Sequence, residues 1–163
     1  LDCTEPVPVI LRPGGITKEQ LEEVIGEVKI DKALLDVEEK PKSPGMKYTH
    51  YAPNAPLYLV DGDKEFLQEC INKERERGLS VGVLTTEENE GFYHCDVVYA
   101  CGQRADLQSV AKDLYNALRY FNETNVDIIF SEMFPSEGVG EAIMNRLMKA
   151  AGHKVIRKEE YRL

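Results

Sequence analysis

A chain of 163 residues is long enough for one ordinary domain with a core of its own. Apolar content of 42% and charged content of 30% belong to the globular class, and no stretch approaches the roughly eighteen apolar residues of a membrane-spanning helix. A net charge of -9, from 29 acidic against 20 basic residues, argues against a surface that grips nucleic-acid phosphates by bulk electrostatics; any such contact has to be local.

Cys3, Cys70, Cys95 and Cys101 show neither a Cys-x-x-Cys pair nor a regular spacing, so they read as free thiols in a reducing cytoplasm. His94, Cys95 and Cys101 match no zinc-ligand spacing, and no metal site is expected. The first residues read as the middle of a strand, with no initiator methionine, which leads to the expectation of a fragment.

Taken in order, Pro6 to Leu11 is apolar and β-branched and predicts a strand, closed by a turn at Pro13-Gly14-Gly15. Thr17 and Gln20 have the spacing of a capping box, ahead of Leu21, Val24 and Ile25 at helical intervals. Val28 and Ile30 alternate as a second short strand. This segment is too small to bury a core and is expected to be the tail of a larger domain. From Asp31 to Lys42 charge rises and apolar content falls, which marks a domain boundary.

Ser43-Pro44-Gly45-Met46-Lys47-Tyr48-Thr49-His50-Tyr51-Ala52-Pro53 follows. Its prolines and glycine predict an extended segment, because each proline biases the residue before it toward β or polyproline geometry. A plain spacer would have this stiffness, but not so dense a set of hydrogen-bonding and stacking groups.

Beyond Pro56 strands and helices alternate. Leu57 to Val60 predicts a strand. Phe66, Leu67, Cys70 and Ile71 then form one face of a helix stopped by Gly78. Strands are predicted at Ser80–Leu84 and Asp96–Ala100. The longest helix follows, with Leu107, Val110, Leu114, Leu118 and Phe121 at three- and four-residue steps. A fourth strand at Val126–Phe130, a helix from Gly140 to Ala151 and a fifth strand at Lys154–Ile156 complete the pattern. Such alternation predicts an α/β, Rossmann-like, mostly parallel sheet of about five strands with helices on both faces.

In a sheet of this kind ligands bind beyond the carboxyl ends of the strands. The loop after the first of these strands, Asp61-Gly62-Asp63-Lys64-Glu65, lacks the dinucleotide fingerprint. Ser131 to Gly140 opens on a helix N-terminus that could hold an anion, but Glu132, Glu137 and Glu141 would repel one, and an ordinary turn is expected. Arg146 is expected to pair with a carboxylate such as Glu132, and Arg104 and Arg119 to be structural in the same way. Ser131 and Ser136 sit in no nucleophile elbow, and His50, His94 and His153 are too scattered to serve as a base. No self-contained active site is read in residues 57–163.

Three segments carry a family resemblance: Ser43 to Pro53, Val9-Ile10-Leu11-Arg12-Pro13-Gly14-Gly15-Ile16-Thr17, and Gly138 to Leu147. In that order they resemble the linker, the closing strand of the YrdC-type catalytic domain, and the last long helix of the C-terminal domain of long-form threonylcarbamoyl-AMP synthases. The resemblance implies residues 1–35 as the tail of the catalytic domain, 36–56 as an inter-domain linker and 57–163 as the C-terminal Rossmann-like domain. It implies a cytoplasmic nucleotidyltransferase that makes L-threonylcarbamoyl-AMP from L-threonine, bicarbonate and ATP, with Mg2+, for the N6-threonylcarbamoyladenosine modification of tRNA. The tRNA-modification machinery would act downstream.

On the same resemblance Arg12 and Tyr48 would contact ATP. A guanidinium suits bidentate phosphate recognition, although Arg12 also reads as a surface arginine at a strand end. The Tyr48 ring could close a pocket while its hydroxyl bonds an oxygen. Lys47, His50 and Tyr51 share the motif and would either dock the linker or take part in the chemistry. No cofactor is expected in the C-terminal domain alone, and this fragment alone is expected to be inactive. The competing reading is a non-catalytic α/β module that binds tRNA or a partner protein.

Overall fold

The computed structural model describes residues 1–34 and 51–161. Near the start, β1 (Val9–Ile10) and β2 (Lys29–Ile30) form a parallel pair around α1 (Lys18–Ile25). Thr17 caps that helix as its sequence predicts: the Thr17 hydroxyl accepts from the Gln20 N–H at 3.3 Å, and the Gln20 side chain accepts from the Thr17 N–H at 3.0 Å. α1 buries none of its residues, and Ile16, Val24 and Ile25 stay exposed. The segment has no core of its own.

The main sheet begins with β3 (Leu57–Asp61), and α2 (Lys64–Glu76) leads from it to β4 (Val81–Thr85). Asp63 caps α2 by accepting from the Phe66 N–H at 2.8 Å. After β5 (Val97–Ala100), α3 (Leu107–Tyr120) returns to β6 (Ile128–Glu132), and α4 (Val139–Ala150) leads to β7 (Val155–Arg157). A last short turn, α5 (Lys158–Tyr161), follows. The strand order is β5-β4-β6-β3-β7 and every pairing is parallel. This is the predicted five-strand α/β sheet.

Alternation along the strands divides the core into two layers. Leu57, Leu59, Leu84 and Ile129 point to one face, where they pack with Leu114 and Leu118 of α3 and Ile143 and Leu147 of α4. Val60, Val81, Val83 and Phe130 point to the other, against Phe66, Leu67 and Ile71 of α2. Each fully buried aliphatic side chain contributes on the order of 1.5–3 kcal/mol, so the α3 stripe of Val110, Leu114 and Leu118 is enough to fix that helix on its face.

The fourth predicted strand begins two residues later than expected and runs on through Ser131 and Glu132. Pairing decides this. Leu59 and Val60 of β3 register with Ser131 and Glu132, whereas the Asp127 carboxylate is drawn out of the strand to accept the Ser80 N–H at 2.8 Å.

Candidate functional site

The switch in direction of the connections sets the position of the site. β3 continues through α2 on one face, while the adjacent β6 continues through α4 on the other. The two chains therefore diverge at their carboxyl ends and leave a crevice between them. A cleft of about 510 Å³ lies there, lined among others by Asp61, Lys64, Asn89, Tyr93, Arg104 and Glu132.

Glu132 is the hub of this cleft. Only 5% exposed, it accepts at Oε1 from the Thr85 hydroxyl at 2.8 Å, the Asn89 side-chain amide at 2.8 Å and the Tyr93 hydroxyl at 2.7 Å. Its Oε2 accepts from Arg104 Nη2 at 3.2 Å, and the same nitrogen donates to the Met133 carbonyl at 2.9 Å. A buried carboxylate is tolerated when it is paired and its lone pairs are filled, and here both conditions are met. Burial, and then the Glu132 carboxylate that its hydroxyl bonds, push the Tyr93 phenol far above its ordinary range. Tyr93 is therefore a fixed donor.

The loop that carries Arg104 is tied down from its other side. Glu88 accepts the Arg104 N–H at 2.8 Å, and this bond, with further backbone and side-chain donors, holds the Glu88 carboxyl down at about 2. On the opposite wall, a Cβ added to Gly62 would stand 2.5 Å from Phe66 Cδ1, so the turn from β3 into α2 has room only for glycine.

Arg146 does not meet Glu132, contrary to the sequence expectation. Glu132 follows Phe130 by two residues and shares its face of the sheet, the α2 side, whereas Arg146 projects from α4 in the other layer. Arg104 takes the carboxylate, and Arg146 lies over the Tyr115 ring at 5.4 Å. Arg119 bonds Asn116 on its own helix at 3.0 Å.

The loop after β6 is a tight turn. Gly140 N–H donates to the Glu137 carbonyl at 3.0 Å, and a Cβ on Gly140 would come within 1.9 Å of the Pro135 carbonyl oxygen.

Lys47, Tyr48 and His50 lie outside the described residues. Tyr51 is described: its φ is 61°, its ring stands 4.3 Å from that of Tyr115, and the next anchors are buried Pro53 and the Asn54 N–H donating to Asn122 at 2.7 Å. Residues 51–54 are thus held on α3 and the turn after it. Arg12 is exposed and lies near Lys149 of α4, whose ammonium is pushed below its ordinary range by burial first and by the Arg12 charge second.

The Glu132 hub was not read from the sequence as a site. The signal was present, a glutamate ending an otherwise apolar strand, but its partners come from three separate loops and strands.

Residues 16–152 match the family model of the threonylcarbamoyl-AMP synthase C-terminal domain. The threonylcarbamoyl-AMP synthase of Bacillus subtilis is 59% identical over 157 residues, which cover 96% of this chain and 45% of the relative. That of Pyrococcus abyssi is 40% identical over 162 residues, covering 96% and 46%. The crystal structure of P. abyssi Sua5 complexed with L-threonine superposes with a TM-score of 0.81 at 40% identity, over 96% of this chain and 46% of that one. A C-terminal Sua5 domain from Pyrococcus horikoshii superposes with a TM-score of 0.51 at 34% identity, over 65% of this chain and 99% of that one. The chain spans about half the length of the curated relatives it matches. With the family match running from residue 16 to residue 152, through four of the five strands of the main sheet and the α3 and α4 layer, the chain belongs to the threonylcarbamoyl-AMP synthase C-terminal domain family.

Proposed function

We propose that this chain is the C-terminal portion of a threonylcarbamoyl-AMP synthase that forms L-threonylcarbamoyl-AMP from L-threonine, bicarbonate and ATP-Mg2+ in the cytoplasm, releasing diphosphate, for tRNA modification. The observation that carries this reading is the 59% identity over 157 residues to a curated enzyme of that name. On this reading residues 1–35 complete a YrdC-type catalytic domain, whose remaining face would cover the exposed Ile16, Val24 and Ile25. Residues 57–163 form the accessory domain, and by itself this portion is inactive.

The linker acts as a strap. Eleven residues from Ser43 to Pro53, at roughly 3.3 Å each, reach about 36 Å, enough to cross a catalytic-domain face and lay Tyr48 on the nucleotide. Arg12 supplies a bidentate phosphate contact and Tyr48 a ring and a hydroxyl over the bound ATP, while Lys47, His50 and Tyr51 dock the strap. A closed strap excludes water from a labile carbamoyl intermediate, and its opening governs product exit. The anchored end, with Tyr51 on Tyr115 and Asn54 on Asn122, supports this reading.

The test is turnover of the full-length protein. Tyr48→Ala should lower threonylcarbamoyl-AMP formation or raise threonine-independent ATP hydrolysis, and Arg12→Ala should raise the KM for ATP. Unchanged kinetics in both variants would refute the assignment.

A further inference from the structure

The cleft between β3 and β6 has no part in the strap mechanism, yet its groups are held as a ligand site requires. Arg104 is fixed from behind by Glu132 and the Met133 carbonyl, and its guanidinium lies over the Phe134 ring at 5.2 Å. Its side chain remains 41% exposed. A guanidinium bound along one edge and stacked on one face presents its other N–H groups already oriented, so little side-chain entropy is lost when it takes an anion. Lys64, which lines the same cleft, has its ammonium 4.5 Å over the Phe92 ring.

The lining carboxylates offset these two cations in part: Glu132 ion-pairs Arg104 at 3.2 Å through one nitrogen and leaves the other N–H groups of the guanidinium to a ligand. Glu132 is filled by its four donors, and Asp63 is committed to the Phe66 N–H and to Lys158 at 2.5 Å. Asp61 is left on the rim, exposed at the end of β3. A carboxylate only accepts, so it calls for hydroxyl or other donor groups on the ligand. The volume of about 510 Å³ lies within the range of small-molecule sites, roughly 300–1,000 Å³.

We propose that this cleft binds a nucleoside monophosphate, its phosphate on Arg104 and Lys64 and its ribose diol on Asp61, as a second nucleotide site in the accessory domain. This departs from the sequence expectation that the C-terminal domain binds no nucleotide. It is independent of the strap reading, because none of its residues belongs to the linker or to the β1–β2 segment.

Calorimetric titration of this chain with AMP, adenosine and inorganic phosphate tests it. Saturable AMP binding is expected, weakened at least about tenfold by Lys64→Ala and by Asp61→Asn, and unchanged by Arg119→Ala on α3. Inorganic phosphate should compete, more weakly than AMP. Absence of saturable AMP binding up to about 5 mM would overturn the proposal. So would an affinity indifferent to Lys64→Ala and Asp61→Asn, or adenosine binding as tightly as AMP. Loss of binding with Arg12→Ala alone would overturn it too, by placing the nucleotide at the catalytic-domain tail.

Discussion

Replacing Glu132 by alanine removes the acceptor for four donors at once. Thr85 is fully buried and Tyr93 is 5% exposed, so neither hydroxyl can turn to water when Oε1 is gone. Each buried donor left unsatisfied costs about 1–3 kcal/mol, which gives about 2–6 kcal/mol for the pair. Asn89 and Arg104 are more exposed and can rehydrate, so they add little. The middle of that range is about 4 kcal/mol. At about 2–4 °C per kcal/mol for a chain of this size, Glu132→Ala should lower Tm by about 8–16 °C.

Glu132→Gln keeps the shape and one carbonyl acceptor, and should cost about half as much. Thermal melts followed by circular dichroism, together with urea midpoints at unchanged m, make the measurement. A loss below about 1 kcal/mol for the alanine variant would refute the view that Glu132 organises the loops around the cleft.

Gly140→Ala should destabilise by at least about 1–3 kcal/mol, since its Cβ would strike the Pro135 carbonyl oxygen and the backbone of the turn must shift; urea midpoints read this directly. Acid should loosen the loop carrying Arg104. The folded Glu88 carboxyl is held at about 2 against the 4.5 of an ordinary glutamate, so its contribution is complete above about 4.5 and is lost as pH falls toward 2; a Glu88→Gln variant should show a flatter acid limb in a melting series. The tilted Tyr51–Tyr115 ring pair should give a coupling of about 0.5–1.5 kcal/mol in a double-mutant cycle of alanine variants, measured by chemical denaturation, and additivity within error would show that the rings do not hold residues 51–54 on α3.

The alternating elements after Pro56 were legible because each reports on local physics. The short apolar run Val81–Leu84 and the three- and four-residue spacing along α3 fix strand and helix whatever their neighbours. The Thr17–Gln20 capping box is equally local, and the structure forms it as written. Strand order is not local. That β6 inserts between β4 and β3, and so brings Glu132 beside Thr85, follows from which faces the helices cover.

The cleft followed the same rule. Asp61, Lys64, Asn89, Arg104 and Glu132 are ordinary charged or polar residues in their own segments, and no spacing joins them. The exchange of Arg146 for Arg104 as the partner of Glu132 has the same cause: a sequence lists both arginines, but only the fold decides which one reaches the carboxylate, the loop before α3 bringing Arg104 to the carboxyl end of β6 while α4 carries Arg146 over the Tyr115 ring. By itself, then, the sequence determined the elements, their caps and the family, because those depend on residues a few positions apart. The tertiary structure alone decided the site, because its groups become neighbours only after the parallel crossovers have been made.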